Sequence, residues 1–268
     1  MILVNPDDST CQYLDFGRYH TPFGTGRVRN ARTDADLHIG TKARISNGRL
    51  INLEQILLEV MRNRASHASG PVLASWVRLD HAKALRKADM LAERSPLPYG
   101  PFAPKSLNCT RFVRTVILSG RPPMPVFLRM AKVPTFTPTA RFTVLALPHW
   151  KKMPESLNVV QDECLVRRIC PVTDLGSVLP ALERPSEVPV EAQWVSGETS
   201  GSWFHVVPMA DHFVLNRYCP EGRMECSTRL IALEKGFVLL PDHRIVPLST
   251  CSQLTIEQSD SQWKLVGQ

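Results

Sequence analysis

What this sequence lacks narrows its class before any motif is read. No apolar run reaches the roughly 18 residues that a membrane-spanning helix needs. The opening residues, MILVNPDD, meet two aspartates before any long apolar core, so they lack the pattern of a secretory signal. As written, the chain reads as cytoplasmic; an envelope or secreted location follows if the N-terminus is truncated. No CxxC pair occurs among the cysteines, which argues against a zinc ribbon, and neither a metal nor an organic cofactor is implied. Gly24-Thr25-Gly26 lacks the third glycine and the following helix of a dinucleotide fingerprint. Ser200-Gly201-Ser202 lacks the strand–turn–helix setting of a serine nucleophile elbow. There is no internal repeat and no low-complexity tract.

What is present describes a globular protein. With 268 residues, 43% hydrophobic and 21% charged, the chain can bury a substantial core in one large domain or two smaller ones. A net charge of +7 is modest for this length. Its basic residues do not alternate with aromatics in one stripe, which ranks nucleic-acid binding last among the readings. An acidic polymer or a membrane surface remains an electrostatic option. Seven cysteines is an odd number, so a full disulfide framework leaves at least one thiol. Cys219 and Cys226, in CPEGRMEC, either close a hairpin disulfide or are two ordinary thiols.

In chain order, Ile2–Val4 and Cys11–Phe16 flank the turn Asn5-Pro6-Asp7-Asp8 and predict a β-hairpin. Gly17–Thr33 reads as a loop. Leu37–Ile45 reads as a strand, and Asn47-Gly48 as a hairpin turn. Helices are expected over Leu53–Arg64, capped by Asn52, and over Asp80–Arg94, with Val72–Val77 a strand between them. Arg121–Pro148 is proline-rich and reads as an extended connector; Val178–Pro189 reads as another, and Asn158–Ile169 as a strand. From Ala192 onward, short β-prone runs alternate with turns, which argues for a compact barrel or sandwich. Its tryptophans, Trp194, Trp203 and Trp263, read first as packing and second as a sugar- or peptide-binding platform.

The stretch with the most chemical content is Ser95–Gly120, SPLPYGPFAPKSLNCTRFVRTVILSG. Phe112, Val113, Val116 and Ile117 fall on one helical face. Asn108 is placed to cap that helix, which puts Cys109 in its first turn. There the positive end of the helix favours a thiolate, the nucleophilic form of cysteine, and Arg111 and Arg114 add charge nearby. The competing reading is an inert buried thiol. A thiol nucleophile also needs a base and an orienting partner, and no histidine is singled out by its surroundings. Asp15, in YLDFGRY, is a carboxylate orienter or else a surface or arginine-paired aspartate.

The residues Asn108-Cys109-Thr110-Arg111-Phe112-Val113 resemble the nucleophile motif of circularly permuted papain-like cysteine hydrolases. That group includes permuted NlpC-type peptidases and lecithin–retinol acyltransferase-like enzymes. The set YLDFGRYHTPFGTGRVR, LPYGPF, LNCTRFV and AQWVSGETSGSWF resembles, more closely, a family of uncharacterised bacterial proteins with that fold. The resemblance implies that Cys109 is the nucleophile and that Asp15 is the polar third residue. It places the base histidine on the first strand, before the cysteine, which here falls at or before Met1. Residues 1–8 contain no histidine, and His20 is the substitute nearest in sequence.

The expectation is therefore an α+β protein. A permuted papain-like domain with an antiparallel sheet packed on helices covers residues 1–150. Residues 151–191 connect it to a small all-β module over residues 192–268. The functional reading is a thiol-dependent amide or ester hydrolase acting through Cys109 on a peptide, a cell-wall fragment or a lipid ester. The alternative is a non-catalytic binding or scaffold protein that keeps the fold.

Overall fold

The N-terminal hairpin forms as expected: β1 (Ile2–Val4) pairs antiparallel with β2 (Cys11–Tyr13), with Val4 opposite Cys11. The structure is a computed structural model that describes residues 1–21, 24–63, 65–66, 72–100, 106–133, 141–153, 183–196 and 201–267. The chain divides into two units. One comprises Met1–Gly17, Val28–Asn30 and Leu37–Thr173, and the other Arg18–Arg27, Ala31–Asp36 and Asp174–Gln268.

After the hairpin, β3 (Asp15–Gly17), β4 (Thr25–Arg29) and β8 (Leu97–Pro98) form a three-stranded sheet in that order. The stretch Gly17–Thr33 is therefore not all loop: Val28 is buried, and its amide bonds to Ser95 Oγ at 3.3 Å. A 3-10 turn, Ala35–Leu37, follows. The hairpin β5 (Ile45–Ser46) and β6 (Arg49–Leu50) turns at Asn47 and Gly48, both with positive φ (49° and 70°), as this turn requires. Leu37–Ile45 is not a strand beyond that hairpin, because its amides bond elsewhere. Gly40 N and Thr41 N donate to the Glu59 carboxylate (2.7 and 2.9 Å), Arg44 N to Asn52 Oδ1 (2.7 Å) and Ala43 N to Ser9 O (2.8 Å). Asn52 thus precedes α1 (Leu53–Arg62) but spends its side chain on the preceding segment instead of capping the helix.

Of Val72–Val77 only β7 (Leu73–Ala74) is strand, paired with β9 (Lys151–Lys152). The helix α2 (His81–Glu93) is capped by Asp80, whose side chain accepts from Lys83 N. Next comes α3 (Cys109–Ser119). Two short helices, α4 (Met124–Lys132) and α5 (Arg141–Leu145), occupy what reads in sequence as a proline-rich connector. Proline lacks an amide hydrogen, and the first turn of a helix has no use for one. Pro123 at the N-cap and Pro125 in the first turn of α4 therefore start a helix. The core of the first unit gathers Leu3, Leu14, Phe16, Val28, Ala84, Ala88, Phe112 and Val116. The expected strand Asn158–Ile169 and most of the connector preceding Pro189 lie outside the described residues.

The second unit is built on a seven-stranded antiparallel sheet. Its strands are β10 (Gln193–Val195), β11 (Ser202–Pro208), β12 (Phe213–Tyr218), β13 (Met224–Ala232), β14 (Arg244–Ile245), β15 (Gln253–Gln258) and β16 (Ser261–Gly267). They are ordered β10-β11-β12-β13-β16-β15-β14. Gly236–Leu240 forms no strand. The two edges meet through one side chain: Gln193 Nε2 donates to His243 O, and Ile245 N donates to Gln193 Oε1, both at 2.8 Å. This side chain stands in for a ladder and bends the sheet towards a closed barrel around Phe204, Leu215, Leu230, Leu254, Ile256 and Leu265. The fold is thus α+β with an all-β C-terminal module. Trp194 and Trp203 pack edge to face at 5.2 Å, and Trp263 lies against Phe237, so these rings are packing elements. Among the described cysteines a disulfide joins Cys226 to Cys251; Cys219 is a buried free thiol, which corrects the Cys219–Cys226 hairpin option.

Candidate active site

Cys109 is the first residue of α3, and that placement follows from the residues around it. Asn108 is extended (φ −138°, ψ 175°), and its side chain accepts the Arg111 amide at 2.8 Å, as an N-cap should. Phe112, Val116 and Ile117 bury the inner face of the helix, and Thr110 is fully buried beside them. Phe16 of β3 stacks on Phe112 (ring centroids 6.1 Å apart) and on Tyr99 (5.7 Å), which locks the start of α3 to the strand that carries Asp15. Cys109 itself is half-buried. The amides of Cys109 and Thr110 lie in the first turn, where a helix offers them no internal acceptor.

The other described free thiols contrast with it. Cys11 and Cys219 are buried, and burial pushes both thiols up from the usual cysteine value. Such groups stay protonated at neutral pH.

The charge around Cys109 differs from the sequence expectation. Arg114 does not face the thiol: its Nε and Nη2 donate to Met130 O (2.9 Å) and Ala131 O (2.8 Å), closing the C-terminal end of α4. Arg111 Nη1 donates to Ser106 O at 2.9 Å, bracing the approach to the helix. Asp15 is gripped by Arg29, whose Nε and Nη2 reach its two carboxylate oxygens at 3.0 and 2.6 Å, and it also accepts from the Tyr13 hydroxyl at 3.2 Å. The arginine-paired reading of Asp15 is therefore what the geometry shows.

Asp15 and Cys109 nonetheless share a neighbour. The Met1 nitrogen is buried and donates to Leu14 O at 2.6 Å. Burial pushes its pKa down, while Asp15 and Cys109 both act on it in the opposite sense. Both candidate side chains thus lie within electrostatic reach of the start of β1, the place where the sequence resemblance puts the base.

The histidines sort by position. His81 opens α2, and the adjoining Asp80 amide donates to Gly120 O at the far end of α3. Eleven helical residues at 1.5 Å per residue put that end about 15 Å from Cys109, too far for proton transfer. His149 stacks on Trp76 at 4.8 Å. His20 belongs to the second unit, buried between Ser202 Oγ (3.1 Å from Nε2) and Arg27 Nη2 (3.5 Å from Nδ1). An arginine only donates, so the facing Nδ1 is the acceptor and Nε2 carries the hydrogen toward Ser202. In that tautomer His20 is a structural donor and not a base for the serine.

Sequence reading did not anticipate the charge cluster around His20. Asp34 is buried between two arginines: Arg27 Nη1 lies 2.6 Å and Arg217 Nη1 2.7 Å from its carboxylate oxygens. Arg217 also reaches Asp36 and Glu225, each at 2.9 Å. Burial alone would lower the pKa of Arg217, but Asp34, Glu225 and Asp36 overcome it and keep the guanidinium charged. Burial pushes Glu225 above the usual glutamate value despite Arg217. Its two halves, Arg27, Asp34 and Asp36 on one side and Arg217 and Glu225 on the other, are joined by bonds spanning 181 and 183 residues, so no local pattern marks them.

Residues 1–123 match the family described as Type VI secretion system effector TseH-like. Residues 192–267 match the DUF6695 C-terminal domain. No curated protein and no solved structure matches the chain. The first match spans Asp15, Asn108 and Cys109; the second covers the seven-stranded sheet.

Proposed function

We propose that this chain is a type VI secretion effector-like thiol hydrolase whose nucleophile is Cys109. The observation that carries the reading is a half-exposed cysteine at the capped start of α3, inside the segment that matches the TseH-like family. In this reading the first unit has a permuted papain-like fold. The Cys109 thiolate adds to the carbonyl carbon of an amide or ester. The amides of the first helical turn hold the oxyanion, and collapse expels the amine or alcohol with a proton from the base. Water then adds to the thioester, releasing the acid and returning the thiol. The resemblance implies a base at or before Met1, and the buried start of β1, whose nitrogen donates to Leu14 O, borders that position. Substrate classes that fit are peptides, cell-wall fragments and lipid esters. The Cys226–Cys251 bridge supports delivery into an oxidising compartment.

A second reading, a non-catalytic protein that keeps the fold, draws on Asp15. Both of its carboxylate oxygens are held by Arg29, which leaves it poorly placed to orient a base. Intact-mass analysis separates the two after incubation with activated peptide and lipid esters. The hydrolase reading predicts an acyl adduct on the natural chain, of the donor's acyl mass, and none on Cys109→Ala. Identical spectra for both proteins would favour the scaffold.

A further inference from the structure

The basic charge of this protein has one source. Residues 94–154 contain ten lysines and arginines and not a single aspartate or glutamate, while the rest of the chain is net acidic. Within that stretch Arg121, Arg129, Lys132, Arg141, Lys151 and Lys152 are all exposed. Exposed large apolar side chains concentrate in the same stretch. On α4, Met124 is 66% exposed, Phe127 37% and Leu128 53%. With the exposed Ala131 they stand at i, i+3, i+4 and i+7, a single stripe along the helix. Val126 and Met130, on the other side, are buried against Ile117, Val133 and Leu147. The helix therefore has an apolar face towards the core and a second one that no described residue of this unit covers. Helical spacing puts Lys132 and Arg129 along the border of the outer stripe. Phe142 and Leu145 of α5 and Trp150 beyond it are exposed as well (49%, 41% and 58%).

We propose that the outer face of α4 docks on an anionic lipid bilayer. An apolar stripe in water is unfavourable, and one bordered by long cationic side chains matches a surface with an apolar interior and an anionic rim. The stripe sinks to the level of the acyl chains while Lys132 and Arg129 extend to the phosphates. A nucleic acid satisfies the cations but gives Met124, Leu128 and Ala131 no apolar phase to enter. The inference concerns the surface of the first unit and does not rest on the chemistry of Cys109.

Co-sedimentation of the full chain with phosphatidylcholine vesicles, with and without phosphatidylserine, tests it. The protein should pellet with the phosphatidylserine vesicles, and added salt should weaken this. The pairs Phe127→Ser with Leu128→Ser, and Arg129→Gln with Lys132→Gln, should each lower the partition coefficient about tenfold or more, with melting temperature unchanged. The second pair touches no core residue, so it keeps the test valid if the first disturbs folding. Equal association with both vesicle types, or binding untouched by the Arg129/Lys132 pair, overturns the proposal. So does tight duplex DNA binding that needs the cations but is indifferent to Phe127 and Leu128, which would assign the patch to nucleic acid.

Discussion

Glu59 shows how much one side chain can organise. Its carboxylate accepts the amides of Gly40 and Thr41 and so holds the irregular segment before β5 onto α1. Burial alone would raise its pKa, but bonds from the Thr41 side chain and from the two amides, with His38 nearby, outweigh it and hold it below the usual glutamate value. Because the folded value lies below the unfolded one, the stabilisation is complete above the unfolded value. It fades as pH falls through the folded one. Glu59→Gln keeps one acceptor and turns a donor towards the other amide. It should therefore lower stability by about 1 kcal/mol at neutral pH, after allowance for solvent screening. It should also flatten this part of the acid limb; urea melts across pH 3 to 7, roughly the carboxylate range, measure both. Residue-scale roles of this kind were partly legible in the sequence. Asn108 as a cap follows from its place before an apolar helical run, and it caps. Asn52 sits in the same pattern and does not, because the Arg44 amide and Lys42 carbonyl claim its side chain. Local pattern says which residue can cap; the neighbour that competes for it comes from the fold.

At the scale of elements, the hairpins and long helices were readable because turn chemistry and 3.6-residue spacing are local. The helices α4 and α5 were not. Proline reads as a breaker there, whereas at the first turn it is a starter. The buried charge cluster was invisible for another reason. Arg27 lies in a stretch that reads as a loop, Asp34 just beyond it, and their partner Arg217 lies on β12. Through Arg27, Asp34 and Asp36 this cluster also fastens Arg18–Arg27 and Ala31–Asp36 into the second unit. Asp34→Ala would leave two buried guanidinium groups without their shared carboxylate. It should therefore destabilise this unit by about 3–5 kcal/mol, where Asp34→Asn, which keeps one acceptor oxygen, costs less. Chemical denaturation followed by tryptophan fluorescence reads this directly, because Trp194 and Trp203 pack in the same unit.

For the whole molecule, composition alone excluded a membrane-spanning helix, and among the described residues no helix is long and apolar enough to cross a membrane. The division of labour was legible in outline: helices and short strands carry Cys109, and an antiparallel β module follows. What the sequence left open was the cysteine connectivity. The bond between Cys226 and Cys251 closes a loop of 25 residues, which constrains the unfolded chain by about 3 kcal/mol. Dithiothreitol should lower the denaturation midpoint of the second unit accordingly. The double variant Cys226→Ala with Cys251→Ala should show the lower midpoint with or without reductant. A midpoint indifferent to both would mean that the bridge contributes nothing.

The proposed hydrolase needs Cys109, at the helix start capped by Asn108, to act as a nucleophile. The most direct test is the rate of alkylation of Cys109 by iodoacetamide as a function of pH, followed by peptide mass spectrometry on the full chain. Labelling at neutral pH should be faster than that of a model thiol and slowed several-fold in Asn108→Ala. The buried Cys11 and Cys219 should stay unlabelled in the folded protein. A Cys109 that reacts no faster than the model thiol, with a rate indifferent to Asn108, would contradict this nucleophile role.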